Sequence, residues 1–431
     1  MRTKHTLVSV LILFFFIGDL YAGGADLNVV PGAKTLSLDG LYFAGGDGLN
    51  SILGNPAGLI KTSNKFLELS IADLIGQQKF ESDIRGLHKS YEEDHFALGG
   101  GFAWAFSPDF ILGVSYQRAI NYNVDWPFLA YQYTDSTSSI SSLDLYNRFK
   151  VNAASLSGAV RFSQLTIGVT ISAYQVKQET AFPLENRSWY DSLSIGLAAY
   201  QFNYNEDAWT YGFDIGLLYD VSPDLQVGVM ARSGYSADLS GTARSRYFAD
   251  LDSAASEVDL SSKFEIPWVF GGGLVYKLSE SLTINADLQY SMWSNTQKSM
   301  DFDFSNSVWQ NNLPLNDSLS GIRADKFMLD FQNTIDAGIG LNLKLSDLDL
   351  RFGYRFSQSP NSESTYSYLF PAVDQHRISI GLGYVDENLS ADLSVAYAFG
   401  TEKEINNTAK GFNGKYNGSL VIPVLTIRYS L

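Results

Sequence analysis

The sequence contains no cysteine among its 431 residues. The chain therefore has no disulfide framework and no thiol nucleophile, and it carries no lipid anchor on cysteine. Charged residues make up only 18%, below the roughly 25% of an average soluble domain. Acidic residues outnumber basic ones by 46 to 30, giving a net charge of -16. This balance argues against a nucleic-acid partner, because such partners need a basic surface.

Beyond the N-terminus, no run approaches the roughly 20 apolar residues of a membrane helix. The mean hydropathy of -0.05 is also too low for a bundle of such helices. The sequence is instead rich in glycine and aromatics, with 37 Gly, 25 Tyr and 28 Phe. Aromatic rings pack well on pleated sheets and glycine disfavours helix interiors, so the composition favours strands and tight turns.

Residues 1–22 have the organisation of a signal peptide. Arg2 and Lys4 precede an apolar run from Leu7 to Ile17, and Ala22 supplies a small residue at the expected cleavage site. An uncleaved anchor is the alternative, but glycine and aspartate follow at once instead of further apolar length. We therefore expect an exported mature chain that begins near residue 23.

Apolar and polar residues alternate through much of the remaining chain. The alternation is clearest in 165–173, 284–292, 377–384 and 392–399. A period of two is typical of strands with one face in an apolar phase and the other in a polar phase. Soluble sandwiches alternate as well, so the connections between strands must distinguish the two.

Short turns and long polar connections follow one another along the chain. Short turns lie at 107–109, 163–164, 221–224, 278–281, 345–347 and 385–388, and long polar stretches run 75–95, 121–148, 177–208, 234–263, 294–328, 359–374 and 400–419. This alternation is typical of an outer-membrane barrel with turns on the periplasmic side and loops outside. A soluble β protein with ordinary core aromatics rarely shows it.

The pattern predicts an all-β fold, a 14-stranded antiparallel transmembrane β-barrel. The predicted strands are 66–74, 96–106, 111–120, 149–162, 165–176, 209–220, 225–233, 264–277, 282–293, 329–344, 348–357, 375–384, 390–399 and 420–431. Residues 23–65 lack strand alternation and are rich in glycine. A barrel wider than eight strands has room for a plug, so we expect an N-terminal hatch at 23–65 inside a barrel at 66–431.

The segment from Asp47 to Leu59, with Asn55-Pro56-Ala57 at its centre, resembles the hatch of the FadL family. This family comprises long-chain fatty-acid and aromatic-hydrocarbon transporters of Gram-negative outer membranes. Residues 264–268 and 282–294 resemble its middle hairpin, and 351–381 its Pro-containing loop with the flanking strands. The C-terminal strand is similar to a barrel assembly signal, although it ends in Leu431 where Phe is usual. The resemblance covers essentially the mature chain.

The resemblance implies a passive transporter of hydrophobic compounds. Substrate would bind in the lumen and leave sideways into the bilayer through a gap at a kinked third strand. Gly113 lies in the third predicted strand at the matching place, with an ordinary barrel glycine as the alternative. Lateral release is physically sensible, because each CH₂ gains about 0.8 kcal/mol in an apolar phase.

Alternation places several arginines on the lumen side. They are Arg232, Arg351, Arg355, Arg377 and Arg428, with Asp214, Asp287 and Asp392 available as partners. Two interpretations stay open. In the first, the arginines hold a substrate carboxylate through bidentate hydrogen bonds. In the second, the arginines and aspartates pair with each other or with the hatch.

The sequence gives little support for an enzyme. The histidines are His5, His88, His95 and His376, and they form no zinc-protease motif. His88 and His95 lie near acidic residues, which we interpret as a solvated loop. Asp301 with Asp303, and Asp250 with Asp252, fall short of a calcium site. We expect no metal and no cofactor.

The expected partners are hydrophobic small molecules, outer-membrane lipid and the barrel-assembly machinery, and the expected state is a monomer in the outer membrane. Two alternatives remain for the function. One is a FadL-like barrel that acts as a protein-binding scaffold in secretion, and the other is a general porin.

Overall fold

The computed structural model describes residues 32–38, 40–41, 43–62, 65–82, 86–90, 93–126, 144–186, 198–249, 252–312, 323–367, 369–406 and 413–431. The predicted signal peptide, residues 1–22, and the beginning of the predicted hatch lie outside these ranges. In the part of the chain that is described, no helix is long and apolar enough to cross a membrane.

The described residues are mostly in antiparallel strands. The strands are β1 (Phe66–Ser82), β2 (Gly86–Lys89), β3 (Glu93–Ser107), β4 (Phe110–Trp126), β5 (Leu145–Phe162), β6 (Leu165–Asn186), β7 (Ala198–Asp220), β8 (Leu225–Arg232), β9 (Tyr235–Ser245), β10 (Glu257–Ile266), β11 (Val269–Lys277), β12 (Leu282–Ser291), β13 (Ser299–Phe304), β14 (Lys326–Met328), β15 (Thr334–Leu345), β16 (Leu348–Ser357), β17 (Gln375–Asp386), β18 (Leu389–Gly400), β19 (Lys403–Ile405) and β20 (Gly414–Ser430). Short helices are α1 (Ala33–Leu38), α2 (Arg246–Ala249) and α3 (Ser307–Asn312), and 3₁₀ turns occupy Gly48–Ser51, Pro56–Lys61, Ser253–Ala255, Trp293–Asn295 and Glu363–Thr365.

The sheet closes on itself. β1 pairs with β20 from Phe66 opposite Ser430 to Ser82 opposite Gly414, and each wall strand pairs antiparallel with its neighbours. β8 continues into β9, and β10 into β11, after one short interruption each. With these counted as single strands and the short β2, β13, β14 and β19 set aside, the wall has fourteen strands. The predicted barrel is confirmed, and closure pairs the first strand with the last so that the sheet has no free end.

Several wall strands are longer than the alternation predicts. β6 extends to Asn186 and β7 begins at Ala198, although 177–208 reads as a polar loop. The inner face stays buried along this extension, at Thr180, Phe182 and Phe202 for example, while the outer face becomes polar. The prediction was wrong because strands that rise above the membrane face water on their outer side.

The outer face of β7 marks the membrane level. Trp209, Tyr211, Phe213, Ile215, Leu217 and Tyr219 alternate outward as exposed apolar side chains. Above Trp209 the outward residues are Asn205 and Asp207. At about 3.3 Å per residue and a tilt near 45°, ten residues span roughly 25 Å, the height of an outer-membrane belt.

The inside of the barrel is filled in two layers. Helix α1 contacts β15 to β18 and β20, while the turn Pro56–Lys61 contacts β4 to β7. Residues 32–62, called the N-terminal segment below, therefore touch the wall on both sides. Beyond them, towards the long connections, lies an aromatic cluster that includes Tyr122, Phe149, Phe202, Tyr204, Trp309, Phe327 and Tyr366. The candidate site lies where these two layers meet.

Candidate transport site

Asn55 ties the N-terminal segment to the wall. Its side-chain oxygen accepts a hydrogen bond from the Ala57 amide at 3.2 Å, which caps the turn that begins at Pro56. Its Nδ2 donates to the carbonyl oxygens of Phe43 at 2.9 Å and Leu217 at 3.0 Å. Asn55 is almost fully buried. The Asn-Pro-Ala motif thus joins two parts of the N-terminal segment to strand β7.

Two inward glycines make this close approach possible. A Cβ atom on Gly168 of β6 would lie 2.2 Å from the Ala57 amide nitrogen. One on Gly216 of β7 would lie 1.9 Å from the Asn55 side-chain oxygen. Sequence reasoning missed both residues. Their signal was glycine at the inward position of an otherwise alternating strand, which marks close contact with another backbone.

Arg428 joins the N-terminal segment to the seam between β1 and β20. Its Nε lies 2.6 Å from Glu68 Oε2, and its Nη2 lies 3.0 Å from Asp47 Oδ1. Lys34 forms a second ion pair with Asp47. Burial alone would raise the pKa of Asp47, but Lys34 and Arg428 hold it well below its usual range. Sequence reasoning placed Arg428 in the lumen but did not identify Asp47 or Glu68.

Three of the predicted lumen arginines form ion pairs with aspartates of the wall, and a fourth packs against the N-terminal segment. Arg232 Nε lies 2.7 Å from Asp214 Oδ1, and Arg355 Nη2 lies 3.4 Å from Asp336 Oδ1. Arg351 pairs with Asp392 at 2.5 Å and with Asp349 at 3.0 Å. The Arg377 guanidinium packs against Gly40, where a Cβ atom would lie 2.1 Å from Nη2. Asp287 instead accepts a hydrogen bond from the Phe43 amide at 2.7 Å.

A cavity of about 130 Å³ lies between the N-terminal segment and the aromatic cluster. Its apolar lining includes Phe43, Met230, Tyr235, Ile266 and Trp293, and its polar lining includes Gln117, Arg232, Gln289 and Arg355. The sequence did not indicate this combination, because the lining side chains come from distant strands and from residues 35–55.

Gly113 does not form the predicted kink. It pairs regularly with Ala103 of β3 and with Ser157 of β5. A Cβ atom there would lie 3.1 Å from Leu59 Cδ2, so the glycine leaves room for the N-terminal segment.

The wall changes a few residues further along β4. Pairing with β3 ends at Gln117, opposite Gly99, and Ala119 is an extra residue in the pairing with β5. Beyond it, residues 120–126 of β4 pair with β5 alone, and residues 93–98 of β3 pair with β1 alone, among the described residues. The cavity reaches this place, since Gln117, Ala119 and Ile120 line it. The end of the β3–β4 pairing thus coincides with a bulge, a feature that locally bends a strand, and not with Gly113.

Those of the remaining polar candidates that the structure describes form an ion pair or cap a turn. Asp301 Oδ1 pairs with Lys326 at 2.9 Å, and Asp252 caps the turn that follows it. Asp250 and the side chains of His88 and His95 lie outside what the structure describes. In the described ranges, no group of three or more histidine and acidic residues is placed to hold a metal ion.

The closed barrel, its lipid-facing belt and the cavity inside it define an outer-membrane channel protein. The sequence profile of the family described as Outer membrane protein transport protein (OMPP1/FadL/TodX) matches residues 47–431. The chain therefore belongs to this family of outer-membrane channels for hydrophobic compounds, whose members are not enzymes. A search of curated proteins returns no significant match.

Solved structures share the fold across nearly the whole chain. A FadL homologue from Pseudomonas aeruginosa has a TM-score of 0.71 at 13% identity, covering 96% of this chain and 99% of its own. The toluene transporter TbuX of Ralstonia pickettii has a TM-score of 0.69 at 17% identity, covering 94% and 99%. The toluene transporter TodX of Pseudomonas putida has a TM-score of 0.68 at 16% identity, covering 96% and 99%.

Proposed function

We propose that the protein passes hydrophobic compounds of about one aromatic ring across the outer membrane. The observation that carries this is the size of the cavity, about 130 Å³. An engineered apolar cavity of about 150 Å³ in another protein binds benzene. A long-chain fatty acid would need a larger space, so single-ring hydrocarbons suit this cavity better. The toluene transporters that share the fold support the same substrate class.

We further propose that substrate leaves sideways between β3 and β4. The cavity touches the bulge at Ala119, and pairing between the two strands stops at Gln117. On the lipid side, Leu98 and Tyr116 are exposed near this break. An apolar molecule gains about 25 cal/mol for each Å² transferred from water into lipid, so release into the bilayer is favoured over release into water.

The N-terminal segment is proposed to be the hatch that closes the lumen. Its attachment through Asn55 on one side and Arg428 on the other supports this role. The proposed domain order is then a cleaved signal peptide at 1–22, a hatch at 23–65 and a barrel at 66–431. Assembly by the barrel-assembly machinery and a monomeric state belong to the same proposal.

Deletion of Ala119 tests the lateral route. The deletion removes the extra residue without changing which side chains of β4 face inward, so it should restore a regular ladder. We expect uptake of labelled toluene by cells to fall at least tenfold, while surface exposure and the heat-dependent gel mobility of the barrel stay normal. Removing one residue from the exposed turn at Ser279 to Ser281 provides a matched control, and it should leave uptake unchanged.

Three other outcomes would overturn parts of the proposal. Normal toluene uptake by the Ala119 deletion would exclude the β3–β4 route. If the wild-type protein raises ion conductance but not toluene uptake, it is a general porin. If it raises neither but retains a protein partner, it is a secretion scaffold.

A further inference from the structure

Glu206 lies on the part of β7 above the membrane belt, and its carboxylate points into the aromatic cluster. Its side chain is 1% exposed, and Tyr204 and Ala208 on the same face are also buried. The intervening residues Asn205 and Asp207 face outward and are exposed. A carboxylate therefore sits inside the extracellular part of the barrel.

Among the described residues, no donor satisfies this carboxylate. Neither Oε1 nor Oε2 of Glu206 completes a hydrogen bond. Its register partners are Gln178 on β6 and Gly241 on β9, and Ser262 approaches from β10. Gln178 Oε1 and the Ser262 hydroxyl also lack partners within the described ranges. An unpartnered ionised carboxylate is costly in such surroundings, whereas the neutral acid is tolerated.

No cation on the neighbouring strands faces Glu206 among the residues described. Lys177, Glu179, Asp207, Asp238, Asp259, Lys263, Asp301 and Asp303 all lie on outward, exposed positions of β6, β7, β9, β10 and β13. Tyr204 is the titratable group on the same face, and its hydroxyl donates to the Ala324 carbonyl at 2.6 Å. Asp325, close to Tyr204, pairs with Arg323 at 2.8 Å. Burial raises the pKa of Glu206 to about 7, with the Ser262 hydroxyl lowering it in part.

Described residues of the connection between β12 and β15 pack against the face of β7 that carries Tyr204 and Glu206. We call residues 296–312 and 323–333 the cover. The cover packs through aromatic rings, with Phe302 5.0 Å from Tyr204 and Phe327 5.5 Å from Phe182 between ring centroids. Ser262, which approaches Glu206, is the register partner of Phe302. The register connects Glu206 through Gly241 and Leu260 to Phe304 of β13, so the carboxylate lies on the same stretch of sheet as the strand that anchors the cover.

We propose that Glu206 is a proton-controlled latch that holds the cover closed at acidic pH and loosens it as the pH rises. The neutral acid is compatible with the closed aromatic cluster. Ionisation requires water at the carboxylate, and the cover must move to admit it. The latch would make the extracellular entrance of the channel responsive to pH.

The direction and size of the pH effect on the closed cover follow from the linkage between proton binding at Glu206 and closure. A carboxyl whose pKa is 4.5 in water and about 7 when enclosed stabilises the closed form fully below pH 4.5. This stabilisation is lost as the pH rises to about 7. The open-to-closed ratio should therefore increase by up to roughly two orders of magnitude across that window, and stay level above it.

Hydrogen exchange of the full chain in detergent micelles tests the latch. The amides of 299–304 and 326–328, normalised for intrinsic exchange, should lose protection by ten- to a hundredfold between pH 5 and pH 8. Glu206→Gln should keep protection high at both values, because the amide mimics the neutral acid. Glu179→Gln is the matched control, an outward carboxylate on β6 with half its side chain exposed, and it should behave as wild type.

Infrared titration supplies a second readout that does not depend on cover motion. We expect the wild type to show a carboxylic-acid band that disappears with a midpoint near pH 7. Glu206→Gln should lack this band. Equal protection at both pH values in the wild type, or the same pH dependence in Glu206→Gln, would overturn the proposal. A band midpoint near pH 4.5 would do so as well. None of these readouts involves transport, so failure of the substrate proposal would leave them unaffected.

Discussion

Replacing Arg428 by methionine should release the N-terminal segment from the barrel seam. Methionine keeps an unbranched side chain but removes the two hydrogen-bonded ion pairs, to Glu68 at 2.6 Å and to Asp47 at 3.0 Å. The Glu68 side chain is only 2% exposed, so its carboxylate would remain buried without a cation. Breaking a buried pair from one side costs about 3–5 kcal/mol. The docking equilibrium of the segment should therefore weaken by roughly two to four orders of magnitude.

Conductance of single channels in planar bilayers, together with limited proteolysis of residues 32–62, measures this release. Arg428→Met should raise the ion conductance and expose the segment to protease. Arg244→Met is the matched control, because Arg244 is 63% exposed and pairs with Glu257 on the surface, where solvent screens the pair and its loss should have little effect. A closed, protease-resistant Arg428→Met protein would refute the role assigned to this ion pair.

The same cluster predicts how the segment responds to acid. Lys34 and Arg428 hold the pKa of Asp47 well below its ordinary value of 3.8. The Asp47 carboxylate therefore stabilises the docked segment fully above pH 3.8. This stabilisation is lost only as the pH falls through the lowered pKa of Asp47. Conductance of the wild-type channel should stay low from neutral pH down to about pH 4. Opening of the channel at pH 5 would contradict this account.

Two glycine substitutions extend the test to the rest of the segment. Gly216→Ala places a Cβ atom 1.9 Å from the Asn55 side-chain oxygen and should raise conductance. Gly272→Ala is the control, because its nearest neighbour lies 3.8 Å away and conductance should not change. Equal conductance of the two variants would disprove the Asn55 contact. Gly113→Val places a Cβ 3.1 Å from Leu59 and further methyl groups beyond it, so it should displace the turn Pro56–Lys61 and raise conductance. Reduced toluene uptake with unchanged conductance would instead return the exit gate to Gly113.

The sequence predicted the barrel well, because lipid imposes a strict rule on each strand that crosses it. The alternation of Leu165, Ile167 and Val169 reflects an outer face in lipid and an inner face in a polar lumen. The extensions of β6 and β7 escaped prediction, since above the membrane the apolar residues turn to the inner face and the outer face becomes polar. A polar outer face in water resembles a loop when only composition is considered.

The bulge at Ala119 escaped prediction for a related reason. Along β4 the apolar residues occupy even positions throughout, from Leu112 and Val114 to Tyr122 and Val124. The first two face lipid and the last two face the aromatic cluster. An unbroken strand would turn Tyr122 outward into water, so one extra residue is needed to reverse the face. The sequence period is constant across the bulge and gives no sign of it.

The Asn-Pro-Ala motif was recognisable, but its partners were not. Asn55 reaches carbonyl oxygens of the wall, and backbone acceptors leave no mark on the amino-acid sequence. Arginine partners were only partly predictable, since Asp336 and Glu68 approach their arginines through strand pairing and closure of the barrel.

Mass spectrometry of small molecules that stay bound to the protein, after gentle extraction from its own outer membrane, tests the central claim most directly. The size of the cavity predicts that about one single-ring hydrophobic compound stays bound per chain, or one toluene after incubation with toluene. Met230→Trp fills the cavity and should reduce this retention. Retention of long-chain fatty acids in place of ring compounds, or of no small molecule at all, would contradict the account.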